Sequence, residues 1–222
     1  MIKLRYAAYN QLPIIVYKKV MDILDENLSP IEKDIEIIAL LADVTPDDIY
    51  KLKATDVNIL QHNIQFLGNP IIKNRKYKKI DINGNKYNVH SNLDELTMGQ
   101  YVDFQMMWKN DNYLNHLSDI LSIFIIPEGK TYNEGYDLIK VREEIENNLD
   151  IETATSIAFF LHKKLISLIQ DKVLYCRLMI WWMKITMKDK ELKKKMKELM
   201  NLYKKMENYL TDGYHSLMKS VN

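Results

Sequence analysis

Leu192, Met196, Leu199, Tyr203, Met206 and Leu210 follow one another at steps of four, three, four, three and four, a spacing that an α-helix turns into one face. The rhythm continues past Asp212-Gly213 to Tyr214, Leu217 and Val221. Lysines crowd the other positions, so the apolar face is narrow, and a narrow seam is what one helix offers another in a coiled coil. Two readings stand side by side. The helix either folds back onto its own chain or meets a second molecule; Met and Tyr at core sites specify a self-pairing coil poorly, and Gly213 weakens the last turn.

The chain upstream is helical by the same logic. Only six glycines and five prolines interrupt 222 residues, and few breakers mean long helices. The pattern stays helical from Glu152 to near Met187, with Lys163, Gln170, Arg177 and Lys184 recurring every seven positions on one thin wet stripe. A helix wet only along a strip is packed on several sides. Tyr175 to Met183, with Trp181 and Trp182 adjacent, therefore marks a central helix. Cys176 lies in that apolar stretch and reads as a core residue rather than a nucleophile; a single cysteine excludes an intrachain disulfide and fits a reducing compartment.

The front of the chain reads as a helical cluster. Residues 14 to 27 alternate apolar and charged positions at helical steps, and Ser29-Pro30-Ile31-Glu32 is a capping box with proline at the first helical position, predicting a helix over 30–43. Thr45-Pro46-Asp47-Asp48 repeats the device for a short helix to about Leu52, and Asp56 is placed to cap another carrying Val57, Leu60, Ile64 and Leu67. In KKIDINGNKYNVH the Asn83-Gly84 pair predicts a hairpin between residues 78–82 and 85–89. Thr97-Met98-Gly99-Gln100 opens a further helix, and Leu114 to Ile126 continues as a strongly apolar one. Pro127-Glu128-Gly129 breaks the chain, a loop runs to Gly135, and Asp137 to Asn148 is a charged, exposed helix. The expected architecture is mainly α: a helical domain over residues 1–187 with one small β-hairpin near 78–89, then a lysine-rich heptad helix over 188–222, the two ending in a long C-terminal helix pair.

Charge narrows the partners. The 31 basic and 30 acidic side chains nearly cancel, which removes the strongest argument for a dedicated nucleic-acid binder. The balance is uneven, however: from Lys184 onward ten lysines face five acids. Lys193, Lys194, Lys195, Lys197, Lys204 and Lys205 are therefore candidate phosphate contacts, or simply the solvated back of the helix. The segment VLYCRLMIWWMKITM carries Arg177 and Lys184 and falls short of the roughly 20 apolar residues a bilayer span needs. The opening MIKLRYAAYNQLPIIV is interrupted by Asn10, Gln11 and Pro13 and does not read as a secretion signal, so the chain reads as soluble.

No residue set spells out a reaction. His62, His90, His116, His162 and His215 are scattered, without a second ligand at metal spacing, and His62 and His162 read as boundary residues on amphipathic helices. Gly129-Lys130-Thr131 resembles the end of a phosphate-binding loop, but Phe124 stands where the earlier glycine is needed. Asp47-Asp48 and Glu143-Glu144 are explained by helix starts or an exposed helix, and no Gly-x-Ser-x-Gly turn occurs. Neither catalysis, a cofactor nor a metal is expected.

Several blocks in order, DIEIIALLADVTPDDIYKLKATDVNILQHNIQFL, LDELTMGQYVDFQMM, LSIFIIPEGKTYNEGYD and REEIENNL followed by ATSIAFFLHKKL, span about residues 34 to 165. Together they resemble small proteins of the structural gene clusters of tailed bacteriophages infecting Bacteroidetes, crAss-like phages among them. A more distant likeness is to the small baseplate-hub and tail-assembly chaperones of contractile-tailed phages. The resemblance implies a non-enzymatic virion protein, in the tail or portal region or packaged as cargo. Its partners would be copies of itself and other phage structural proteins, with accessory contact to DNA, in the virion and, during assembly, the host cytoplasm. The alternative it carries is a tail-assembly chaperone absent from the mature particle. The heptad stripe lies beyond these blocks, and its spacing alone makes Leu192, Met196, Leu199, Tyr203, Met206 and Leu210 the candidate interface anchors.

Overall fold

The computed structural model describes residues 2–71, 75–90, 96–108 and 114–164, and beyond these the positions 167, 178, 194, 195, 197, 198, 200–202, 204, 205 and 208. The described chain is mainly helical, as the periodicity predicts, with one three-stranded antiparallel sheet where the sequence predicts a two-stranded hairpin.

The first four helices are α1 (Ile14–Asp25), α2 (Pro30–Ala42), α3 (Pro46–Tyr50) and α4 (Ala54–Asn63). Both proline-led capping boxes form. The Ser29 hydroxyl accepts from the Glu32 amide while the Glu32 carboxylate accepts from the Ser29 amide at 2.9 Å, and Thr45 and Asp48 exchange the same pair. These bonds favour the charged form and hold both carboxyls below their ordinary values. Asp43 ends α2 in the left-handed region at φ 58°, which lets the chain turn at once into α3.

The expected cap at Asp56 is corrected. The chain already turns at Lys53, whose carbonyl accepts from the Asp56 amide at 2.9 Å, so Asp56 stands in the first turn of α4. There its charge faces the helix's positive end. α4 also stops at Asn63, and Gln65–Gly68 tighten into a 3-10 turn that carries Leu67 out of the helix.

The hairpin forms as β1 (Lys79–Ile82) and β2 (Asn85–Val89), with Ile82 opposite Asn85. Asn83 and Gly84 take φ 53° and 82°, the two positive angles a two-residue turn requires. A third strand, β3 (Ile125–Pro127), pairs with β2 through Val89 opposite Ile125 and Asn88 opposite Ile126. That overturns a helix running to Ile126. β2 of an isolated hairpin would leave a row of backbone groups unpaired, and three residues leaving the helix supply the pairs. Pro127, without an N–H, sits at the end of this edge strand.

Between these elements lie α5 (Met98–Trp108), α6 (Leu117–Phe124) and α7 (Leu138–Asn148). Thr97 and Gln100 cap α5 reciprocally, and the Gln100 amide donates onward to the Ile123 carbonyl at 2.8 Å, fixing α5 on α6. Asp137 caps α7 through the Ile139 and Lys140 amides. α6 is buried along nearly its whole length and is the centre of the core. Leu12 and Ile14 clasp the junction after α7: Ile14 N–H donates to the Leu149 carbonyl and Ile151 N–H to the Leu12 carbonyl. The last helix described as a run, α8 (151–164), buries Ile151, Ala154, Ile157, Ala158 and Leu161 and exposes Lys163, in keeping with a helix packed on several sides. Of Tyr175 to Met183 only Leu178 is described, helical and exposed; Cys176, Trp181 and Trp182, and the expected division between residues 187 and 188, lie outside the described residues.

Candidate interaction surfaces

The six apolar stripe residues, Leu192, Met196, Leu199, Tyr203, Met206 and Leu210, and Lys193 with them, lie outside the described residues. Their neighbours do not. Lys194, Lys195, Lys197, Lys204 and Lys205 are helical and exposed, as are Glu198, Asn201, Leu202 and Asn208, while Met200, beside Leu199, is half-buried. The exposed set is the back and flanks of the helix that the stripe spacing defines.

A second cationic surface went unnoticed in the sequence. Arg75, Lys76 and Lys78 enter the hairpin exposed, and Lys163 and Lys164 follow one another on α8. The Lys76 and Lys164 ammonium groups lie 5.1 and 5.7 Å from the centre of one ring, Phe160, and Arg75 lies 5.6 Å from that of Tyr77. None of these five cations forms an ion pair with another described residue. The run of basic residues from Lys73 to Lys79 was the available signal; the approach of Lys164 was not readable.

Polar side chains tie the elements to one another. Lys18 on α1 donates to Glu146 on α7 at 2.7 Å and to the Asn115 carbonyl at 3.0 Å, and Ser118 on α6 donates to the same carboxylate. Asp119 takes Arg142 at 2.8 Å and faces His116 at 3.3 Å. Tyr87 and Asn85 both donate to Glu144, and Tyr132 donates to Asp103 at 2.7 Å. Burial first, and the carboxylate second, push the Tyr87 and Tyr132 hydroxyls up, so they remain donors. Glu144 of the Glu143-Glu144 pair thus ties the hairpin to α7.

The scattered histidines separate by depth. His62 and His90 are exposed, His215 lies outside the described residues, and His162 is 1% exposed, which corrects its reading as a boundary residue: α8 is covered on the side that carries it. Among the described residues no group of three His, Cys, Asp or Glu side chains could hold a metal ion, and no helix is long and apolar enough to cross a membrane. Gly129, at φ 77°, turns the chain at the end of β3, with Lys130 N–H donating to the Pro127 carbonyl; no helix follows this turn to present amides to a phosphate.

Compared with protein families, curated proteins and solved structures, the chain has no significant match. Function must be argued from its surfaces.

One concavity adds to them. α1, α2 and the start of α3 enclose a shallow groove of about 370 Å³, floored by Ile23, Ala39, Leu40, Val44 and Pro46 and rimmed by Lys19, Asp22, Glu26 and Glu36.

Proposed function

We propose that this chain is a non-enzymatic bacteriophage virion protein, a structural component of the tail or portal region or a packaged cargo, that works by helix-mediated packing. The observation that carries the reading is the one-sided terminal helix. Its apolar residues recur on a single seam, while the lysines behind that seam are exposed and helical. The resemblance of residues 34 to 165 to phage structural-cluster proteins supplies the biological setting. Copies of itself and other phage structural proteins are the partners, in the virion and in the host cytoplasm during assembly. An ordered interface of this kind buries more than about 1,000 Å² in total.

Replacing Leu199 and Met206 together by lysine is expected to abolish assembly in light scattering while circular dichroism keeps its helical signal. Loss of the whole fold would put the seam in the chain's own core and end the reading. Mass spectrometry of purified particles separates the virion component, which is retained, from an assembly chaperone, which departs.

The cations around Phe160 favour an accessory contact with DNA beside the packing role, together with the tail lysines. Each phosphate neutralised steepens the salt dependence of binding by about 0.9 in log-log slope. Changing Lys76 and Lys164 to glutamine is therefore expected to flatten the slope by about two units on duplex DNA. Binding that ignores salt would exclude the contact.

A further inference from the structure

We infer that the groove between α1 and α2 receives the lysine-flanked apolar helix of a second copy of this chain, through residues 192–199. The inference rests on the packing reading and names the surface that the seam meets.

The groove is apolar below and acidic above. Ile23, Leu40 and Val44 are only half-buried on its floor, and Asp22, Glu26 and Glu36 on its rim form no ion pair with another described residue. Across α1 with its cap Glu26 and α2, six carboxylates face three lysines. Two of those lysines are engaged elsewhere, Lys18 by Glu146 and Lys33 by the Leu24 carbonyl, which leaves Lys19 alone on the rim. A bare apolar floor under unbalanced negative charge fits an occupant with an apolar ridge and positive flanks.

The terminal helix has that form over only part of its length. In a heptad the residues on either side of the seam are those that meet the partner's rim. Around Leu192, Met196, Leu199 and Tyr203 those flanking positions are Lys193, Lys195, Met200 and Leu202. Around Met206 and Leu210 they are Glu207 and Tyr209, with no lysine. The charge pattern therefore selects the first half of the stripe, and length agrees. The stripe from Leu192 to Leu210 spans about 28 Å, whereas the α1 wall of the groove, from Lys19 to Glu26, spans about 11 Å, two turns of an occupying helix.

No described residue of the same chain fills the groove, and Lys194, Lys195 and Lys197 stand exposed. If each copy lends its helix to the other, the contact is made twice about a two-fold axis and closes the assembly. Two shallow contacts then supply an area that one would not.

The test is a charge exchange in the full chain, read by sedimentation across a concentration series. Asp22→Lys with Glu26→Lys is expected to weaken dimerisation about tenfold or more, and Lys193→Glu with Lys195→Glu to do the same. Carrying all four changes in one chain should restore association to within about threefold of the parent, because opposite charges again face each other. Asp22, Glu26 and Lys195 are exposed, and an unchanged circular dichroism spectrum checks that the exchanges leave the fold intact. If the parent dimerises but the Asp22 and Glu26 changes have no effect, or the fourfold variant is no tighter than the pairs, the groove is not the receptor and the packing reading survives. If the parent is monomeric at every concentration and Leu199→Lys with Met206→Lys changes nothing, both are overturned.

Discussion

Phe124→Ala is expected to lower the free energy of unfolding by about 3–5 kcal/mol and the melting temperature by about 10 °C, the largest effect of any single truncation in the described core. Three properties meet at this residue. Its side chain is fully buried, so truncation leaves a cavity as well as losing apolar contact. Its ring stands edge-on to Phe104, with centroids 5.4 Å apart and planes at 80°, the arrangement in which one ring's positive edge meets the other's negative face. It is also the last residue of α6, and its carbonyl accepts from the His90 amide at 2.8 Å just beyond β2. The cavity would therefore open where helix, sheet and α5 converge and where the neighbours are least free to collapse. Ile139→Ala, on the solvent side of α7, is the matched control and should change stability by less than about 0.5 kcal/mol. Chemical denaturation compares the two. A Phe124→Ala loss below about 1 kcal/mol would mean that the centre of the core lies elsewhere.

The same residue marks the limit of what the sequence could say. Helix starts were legible because a cap is a local contract between residues three apart, and Ser29 with Glu32, Thr45 with Asp48 and Thr97 with Gln100 all form as spaced. The Asn83-Gly84 turn was legible for the same reason, since the angles it needs belong to two adjacent residues. Beyond Phe124 the apolar run Ile125-Ile126 carries no such signal. Either a buried helix or a buried strand accommodates it, and only the free edge of β2, 36 residues earlier at Val89, decides for the strand. Depth failed similarly at His162, where helical spacing shows an amphipathic boundary but not how many elements cover it. Tyr87 with Glu144 and Lys76 with Phe160 are likewise meetings of distant segments. The apolar stripe from Leu192 to Leu210 is legible as a pattern from spacing alone. What that pattern meets is a property of a second surface, and the acid-rimmed groove became visible only once α1 and α2 were placed side by side.

Acidification should unfold this protein earlier than its carboxylates alone require, because His162 is buried. Burial disfavours the imidazolium and pulls the His162 pKa down to about 4 from an ordinary value of 6.5. The unfolded chain therefore takes up this proton first. Stability from the neutral ring is fully present above pH 6.5 and drains away as pH falls toward 4, with a loss of about 2 kcal/mol by pH 5 and about 3 kcal/mol by pH 4. Glu32 and Asp48 act later. Their caps lower their values, so what they contribute is present above the ordinary carboxylate range and goes only as pH drops through it. Asp150 has the opposite sign, since burial raises its carboxyl and the folded chain binds that proton more readily, so it gains stability on acidification. His162→Gln keeps a polar side chain of similar size that carries no charge at any pH. Unfolding free energies measured from pH 7 to pH 4 should fall about 3 kcal/mol further in the parent than in this variant, the difference opening near pH 6.5. Parallel curves for the two proteins would place the ring in contact with water or with an anion, and the side of α8 that carries His162 would then not be covered.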